Sequence, residues 1–100
     1  MKRSSDEILR QIKEHVRKGT YLVKQHAIQR QKERLIRLPD ILYVLEKGGH
    51  EREKDEFDIR SQDWKYAIRG KTIDHVDLRV IVALYEKKKN VYLYGTRIPN

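Results

Sequence analysis

The stretch HVDLRVIVALYE, residues 75–86, decides the fold class of this 100-residue chain. Its apolar run from Val80 to Leu84 is rich in β-branched residues, which favour strands. An apolar run without polar alternation indicates a strand that is covered on both sides. We therefore predict a central strand over about residues 78–85.

The segments that flank this strand repeat a two-residue period, which is typical of strands. Residues 61–71, SQDWKYAIRGK, alternate between apolar and polar positions, and residues 91–98, VYLYGTRI, follow the turn KKKN. Asn90 in that turn tolerates the left-handed backbone that tight turns often require. The second half of the chain is therefore predicted to form an antiparallel meander of three or four strands.

The first half of the chain shows helical signals instead. Ser4 and Glu7 form a capping box, and Gly19 ends the helix that begins there. Pro39 suits the first turn of a later helix, because its missing N–H would have no partner at that position. The predicted helices cover residues 5–18, 26–36 and 39–47. Helices followed by strands indicate an α+β fold, with N-terminal helices packed on the antiparallel sheet.

Length and composition limit the classes of protein that remain. One hundred residues make a single domain, 1–100, with an N-terminal helix (1–19), a helical motif region (20–49) and the meander (50–100). The sequence has no cysteine and no histidine pair with metal-ligand spacing, so we expect no metal and no cofactor. No apolar run approaches the ~18 residues of a membrane span, and no secretory signal is visible. We therefore expect a cytoplasmic protein with no membrane partner.

The net charge of +8 is distributed unevenly along the sequence. Residues 1–39 carry +7, residues 40–63 carry −4, and residues 64–100 carry +5. A basic excess of this size attracts polyanions, and nucleic acid is the commonest polyanionic partner. The acidic segment in the middle is expected to be a solvated loop or an edge strand.

A row of basic side chains is predicted on the helix that begins in KQHAIQRQKERL, residues 24–35. His26, Arg30 and Arg34 are spaced four residues apart, so they share one helix face. Guanidinium groups grip phosphate with two hydrogen bonds, and a histidine transfers protons near neutral pH. RNA cleavage needs a base, an acid and cations of this kind. The structural alternative is a solvated face, on which His26 caps a helix and Arg30 pairs with an acid.

Two residues of the predicted sheet are second-rank catalytic candidates, namely Arg79 and Tyr94. Arg79 is expected on the face opposite Val80, where it contacts phosphate or, alternatively, pairs with Asp58 or Asp77. Tyr94 stacks a base or, alternatively, packs in the core. Further residues are predicted to bind RNA through their positive charge: Lys24, Arg37, Arg69, Lys87, Lys88 and Arg97.

The sequence also resembles a known family. Residues 21–36 read YLVKQHAIQRQKERLI, and residues 38–48 read LPDILYVLEKG. This resembles a bacterial uncharacterised family that is marked by a His-Ala-x-x-Arg-x-x-x-Arg helix and is usually grouped with the RelE/ParE-like toxins. The resemblance continues in kind through WKYAIRG (64–70) and LRVIVAL (78–84).

The resemblance implies a compact RelE-like fold and a toxin of a bacterial toxin–antitoxin pair. It implies a metal-independent endoribonuclease that acts on messenger RNA, free or on the ribosome, and that an antitoxin protein silences. His26, Arg30 and Arg34 match the motif of the family. Two alternatives stay open, because fold and family do not fix activity. One is a non-catalytic basic module that binds nucleic acid, and the other is a ParE-like toxin directed at gyrase or another protein.

Overall fold

The computed structural model describes residues 2–24, 36–85 and 90–99 of the chain. Helix α1 spans Ser5–Lys18 and helix α2 spans Leu38–Lys47. The prediction of a helix over residues 5–18 is confirmed, and α2 begins one residue before the predicted range 39–47. The predicted helix over residues 26–36 falls almost entirely outside the described residues, so it stays a prediction.

The caps of α1 explain why its bounds could be predicted. The Ser4 hydroxyl accepts a hydrogen bond of 3.2 Å from the Glu7 backbone N–H, which would otherwise lack a partner in the first turn. Gly19 takes the left-handed conformation, with φ of 74°, and ends the helix. Asp6 and Glu7 in the first turn also favour the positive end of the helix dipole.

Six strands form one mixed sheet in the described part of the chain. They are β1 (Tyr21–Val23), β2 (Gly49–His50), β3 (Glu56–Asp58), β4 (Asp63–Lys71), β5 (Asp77–Leu84) and β6 (Val91–Arg97). The strand order is β1-β6-β5-β4-β2, and β3 also pairs with β4. A short 3-10 helix, Arg52–Lys54, connects β2 to β3. The fold class is α+β, as predicted, and β5 is the predicted central strand.

The predicted antiparallel pairing holds for β2 to β6, since β2, β3 and β5 all pair antiparallel with β4, and β6 pairs antiparallel with β5. The strand number is wrong, and β1 runs parallel to β6, with Tyr21 opposite Val91. Strands of two or three residues are too short to show a period in the sequence. A parallel pair also joins segments that are far apart along the chain, and no turn marks such a pairing.

A β-bulge interrupts the ladder between β5 and β6. Val82 lies opposite Leu93, whereas the next residue back along β5, Ile81, lies opposite Gly95. Tyr94 is therefore an extra residue on β6 with no partner on β5. A bulge shifts the alternation of side chains by one position, so every residue after it changes face. The bulge consequently places both Tyr94 and Arg97 on one side of the sheet.

Both helices pack on the other side of the sheet. Ile8 and Ile12 of α1 and Ile41 and Val44 of α2 are fully buried there. The sheet contributes alternate side chains to the same core: Tyr66, Ile68, Leu78, Val80, Val82, Leu84, Val91 and Leu93. We call the opposite side of the sheet the far face. No helix in residues 2–24, 36–85 or 90–99 is long and apolar enough to cross a membrane.

The far face of β5 is buried where the strand is apolar. Ile81 and Ala83, which alternate with the helix-facing residues, are 6% and 0% exposed. This confirms the prediction that the central strand is covered on both sides. The polar ends of β5 and its neighbours surround this apolar centre and carry the candidate functional groups.

Candidate nucleic-acid interface

Tyrosine rings and lysine ammonium groups are interleaved on the far face. The Lys65 Nζ lies 4.1 Å from the centre of the Tyr94 ring. The Lys24 Nζ lies 5.5 Å from the same ring and 5.2 Å from the Tyr92 ring. These distances allow cation–π attraction, which holds the flexible lysine side chains over the rings. Two positive charges are therefore fixed near one aromatic side chain.

The hydroxyl of Tyr94 takes part in a hydrogen bond with a second tyrosine. Its partner is the hydroxyl of Tyr85, at the end of β5, and the two oxygens are 2.5 Å apart. Burial and this hydrogen bond raise the pKa of Tyr94 well above its usual range. The phenol of Tyr94 is therefore protonated at neutral pH, and its hydroxyl can donate or accept a hydrogen bond.

A pocket of about 150 Å³ lies beside Tyr94, and we call it the far-face pocket. Its lining includes Ile81, Gly95 and Thr96 and four larger polar residues, namely Glu56, Lys65, Tyr94 and Arg97. Arg97 Nη1 lies 3.3 Å from Glu56 Oε1, and both side chains are about half exposed (53% and 55%). A carboxylate, an ammonium, a phenol and a guanidinium thus surround one small space.

Glu56 and Lys65 were not among the residues singled out from the sequence. Glu56 lies in the acidic segment that was predicted to be a solvated loop or an edge strand, and the pairing of β3 with β4 brings it to Lys65. Lys65 did carry a signal, because strand alternation places it on the same side as Arg69. The acidic segment is therefore part of the candidate site rather than separate from it.

Arg69 and Arg79 form an ordered ion-pair network farther along the far face. Arg79 Nε donates to Glu51 Oε1 at 2.7 Å, and Arg69 binds Glu51 at 3.2 Å. Arg69 also grips Asp77 with two hydrogen bonds, of 2.7 and 3.2 Å. The predicted ion pair of Arg79 exists, but its partner is Glu51 rather than Asp58 or Asp77. The hydrogen bond from Arg79 and then that from Arg69 lower the pKa of Glu51.

The remaining predicted site residues are distributed as follows. Lys24 and Arg97 lie on the far face with Tyr94, as described above. Arg37 is exposed and precedes α2, where its backbone N–H donates to Asp40 Oδ2. Five candidates lie outside the described residues, and their roles stay predictions: His26, Arg30, Arg34, Lys87 and Lys88.

A second polar cluster lies on the helix side, and we call it the buried clip. His50 Nδ1 is 2.7 Å from the Ser5 hydroxyl, and His50 Nε2 is 2.8 Å from Asp55 Oδ2. Asp55 also binds the Lys2 ammonium at 2.9 Å and accepts the Ala67 backbone N–H at 2.8 Å. The side chains of His50 and Asp55 are 1% and 0% exposed. Burial this complete leaves a substrate no access to the imidazole, so the clip fastens α1 to the sheet.

Potential metal ligands are not clustered in the described ranges of the chain. No group of three or more His, Asp or Glu side chains in residues 2–24, 36–85 and 90–99 is arranged to hold a metal ion.

Comparison with known proteins gives one match. A family model described as "Domain of unknown function (DUF4258)" covers residues 23–93, which are 71 of the 100 residues. No curated protein and no solved structure matches the chain. The matched segment contains α2, β2 to β5 and the first three residues of β6, including Glu56 and Lys65, but only the last residue of β1.

Proposed function

This chain belongs to the DUF4258 family, and we propose that it is the toxin of a bacterial toxin–antitoxin pair that cleaves messenger RNA without a metal ion. The observation that carries this proposal is the meeting of Glu56, Lys65, Tyr94 and Arg97 around one pocket on the far face. The net charge of +8 supports a polyanionic substrate. The RelE-like identity of the α+β fold is part of the same proposal.

The tyrosines and lysines beside the pocket suit single-stranded RNA. Bases that are not paired stack on aromatic side chains, and cations along the same surface follow the phosphate backbone. Tyr92 and Tyr94 supply the rings, and Lys24 and Lys65 supply the charge. The scissile phosphate then lies in the far-face pocket, between Lys65 and Arg97.

Cleavage proceeds by attack of the 2′-oxygen on the adjacent phosphorus. Glu56 takes the proton of the 2′-hydroxyl, while Lys65 and Arg97 stabilise the charge that develops on the phosphoryl oxygens. The bond between phosphorus and the 5′-oxygen breaks as the new bond to the 2′-oxygen forms. Tyr94 donates its proton to the departing 5′-oxygen, because an alkoxide is a far stronger base than a phenolate. The products are a 2′,3′-cyclic phosphate and a 5′-hydroxyl.

The sequence offers a second set of groups for the same roles. His26 was predicted as the proton carrier, with Arg30 and Arg34 on the phosphate, and these residues lie outside the described ranges. The two assignments differ in which substitution abolishes cleavage. Glu56→Gln and His26→Gln, compared in one assay, identify the base.

The test uses the purified full chain, a 5′-labelled single-stranded RNA and excess EDTA. We expect Glu56→Gln to reduce the cleavage rate by ~10²–10⁴, the usual contribution of general acid–base catalysis. Glu53→Gln is the matched control, because it removes the same charge from an exposed position in the adjacent 3-10 helix. Tyr94→Phe, which removes only the hydroxyl, is paired with Tyr43→Phe on the surface of α2.

The outcomes separate the three functions under consideration. Cleavage with cyclic-phosphate ends that depends on Glu56 supports the ribonuclease assignment. Tight binding without cleavage supports a non-catalytic nucleic-acid module instead. Neither binding nor cleavage, together with growth arrest on induction, favours a toxin directed at gyrase or another protein. Rescue of growth by the product of a neighbouring reading frame identifies the antitoxin partner.

A further inference from the structure

Tyr94 is the extra residue of the β-bulge, so the strand ladder does little to fix its side chain. Its neighbours Leu93 and Gly95 lie opposite residues of β5, whereas Tyr94 has no partner there. An extra residue of this kind is left out of the pairing, and bulges redirect side chains. The position of the Tyr94 hydroxyl therefore depends on the contacts that the side chain makes beyond its own strand.

Two of these contacts act on different parts of the side chain. The Lys65 Nζ lies 4.1 Å from the centre of the Tyr94 ring, and this attraction acts on the ring as a whole. The hydrogen bond with Tyr85 acts on the oxygen atom itself, and such a bond weakens steeply when its geometry is poor. Among the described contacts, the bond with Tyr85 is therefore the one that holds the Tyr94 oxygen in place.

Tyr85 is itself anchored on the far face. The alternation along β5, continued by one residue, places Tyr85 on the same side as Ile81 and Ala83. Its ring centre lies 5.2 Å from that of Tyr92, and the two ring planes are tilted by 54°. Aromatic rings at such a separation attract each other. The hydroxyl that binds Tyr94 therefore belongs to a packed ring.

The two tyrosines differ in their access to the far-face pocket. Tyr94 lines this pocket, whereas Tyr85 is not part of its lining. A ligand in the pocket can therefore contact the Tyr94 hydroxyl, while Tyr85 affects the ligand through that hydroxyl. A functional group is held precisely when a neighbouring side chain that is itself packed locks its rotamer.

We propose that Tyr85 is a positioning residue for the proton donor Tyr94. This inference rests on the proposed function, in which Tyr94 gives its proton to the departing 5′-oxygen of RNA. The proton of a phenol can turn about the C–O bond, so either hydroxyl of the pair can be the donor. When RNA is bound, Tyr85 donates to the Tyr94 oxygen, and the proton of Tyr94 points to the 5′-oxygen.

The proton transfer leaves one negative charge on Tyr94. The O–H bond of Tyr94 breaks as the O–H bond of the 5′-hydroxyl forms, and the resulting phenolate still accepts the hydrogen bond from Tyr85. Glu56 has meanwhile become neutral, because it took the proton of the 2′-hydroxyl. Water carries that proton from Glu56 back to Tyr94 after the products have left, which restores both groups.

The first measurement does not depend on cleavage. It follows the resonance of the ring carbon that bears the Tyr94 hydroxyl, by NMR of the full chain at pH 7. We expect Tyr85→Phe to shift this resonance, because the variant keeps the packed ring and removes only the bonded hydroxyl. Tyr43→Phe, on the surface of α2, is the matched control and should leave the resonance unchanged.

The second measurement is the rate of cleavage of single-stranded RNA. We expect Tyr85→Phe to lower kcat by ~10–100-fold, since a small misplacement of a reacting group can cost ~10² in rate. KM should stay nearly unchanged, because Tyr85 does not line the far-face pocket. The double variant Tyr85→Phe/Tyr94→Phe should be no slower than Tyr94→Phe alone, because Tyr85 acts through Tyr94.

The third measurement replaces the leaving group. A nucleoside 3′-(4-nitrophenyl phosphate) releases 4-nitrophenolate, which is a far weaker base than an alkoxide and departs without a proton. We expect Tyr85→Phe and Tyr94→Phe to cleave this substrate at nearly the wild-type rate. Glu56→Gln should remain slow, because the 2′-hydroxyl still has to lose its proton.

The outcomes separate failure of this inference from failure of the proposed function. If the wild-type protein cleaves neither substrate, the proposed function is overturned, and the positioning role with it. If wild-type cleavage is normal and Tyr85→Phe changes neither kcat nor the Tyr94 resonance, only the positioning role is overturned. The same holds if Tyr85→Phe is slow on both substrates, because its defect then lies outside proton donation.

Discussion

The buried clip and the far-face pocket contain adjacent residues of one short segment, yet they differ in their exposure to solvent. Asp55 and Glu56 are adjacent, and they point to opposite sides of the sheet. Asp55 and His50 are almost completely enclosed and Lys2 is only 20% exposed, whereas Glu56 and Arg97 are both about half exposed. An ion pair in the interior cannot exchange its partner for a ligand, but an exposed pair can. The same chemical groups therefore hold the fold on one side and can bind a substrate on the other.

The largest effect is expected from breaking the buried clip. Asp55→Ala removes a carboxylate that accepts from His50, Lys2 and the Ala67 backbone N–H. Removing one partner of a buried ion pair lowers the free energy of unfolding by ~3–5 kcal/mol. Urea denaturation measures this, with Asp74→Ala in an exposed turn as the control. A loss similar to that of the control would mean that the clip does not hold α1 to the sheet.

Removing a charged side chain from the far face should lower the activity rather than the stability of the protein. Arg97→Ala removes the guanidinium from the far-face pocket, and we expect RNA cleavage to fall by ~10²–10³. The melting temperature should stay nearly unchanged, because the Arg97 side chain is 53% exposed and its pair with Glu56 contributes little. Arg60→Ala, in the exposed turn after β3, is the matched control. If the melting temperature and the cleavage rate fell together, Arg97 would instead have a structural role, as the residues of the buried clip do.

Salt provides a smaller test that needs no mutation. If Lys24, Lys65 and Arg97 each neutralise one phosphate of single-stranded RNA, the logarithm of affinity falls with the logarithm of salt at a slope of about −2. Raising the salt from ~50 to ~200 mM should then weaken binding roughly twentyfold. The stability of the clip should not follow this dependence, since it is shielded from ions. Binding that is flat over this range would count against a surface that contacts phosphates.

The smallest expected effect is a decline of the free energy of unfolding at acidic pH. Hydrogen bonds from Arg79 lower the pKa of Glu51, and those from Arg69 lower the pKa of Asp77. A lowered pKa stabilises the fold above the ordinary carboxyl pKa of about 4, and that contribution is lost as the pH falls through the lowered value. We expect stability measured between pH 6 and pH 2 to decline, and Glu51→Gln to make the decline shallower. An unchanged slope in that variant would assign the acid sensitivity to other carboxylates.

Local signals were sufficient for some elements and not for others. The Ser4 cap, the Gly19 stop and the apolar run of β5 each act within a few residues, so α1 and the central strand could be predicted. The sequence does not show that one bulge carries Arg97 to the same face as Tyr94, because the bulge depends on how β6 meets β5. The placement of Glu56 beside the far-face pocket was missed for the same reason, since only the pairing of β3 with β4 brings it to Lys65.

The parallel pairing of β1 with β6 has a consequence for the order in which the protein matures. Tyr21 lies opposite Val91, so β1 is synthesised seventy residues before the strand that it pairs with. Contacts between such distant segments form slowly, because a large loop must close first. β6 also carries Tyr94 and Arg97, and Lys24 follows β1 directly. A growing chain on the ribosome therefore lacks a finished far-face pocket until β6 has been synthesised and has joined the sheet.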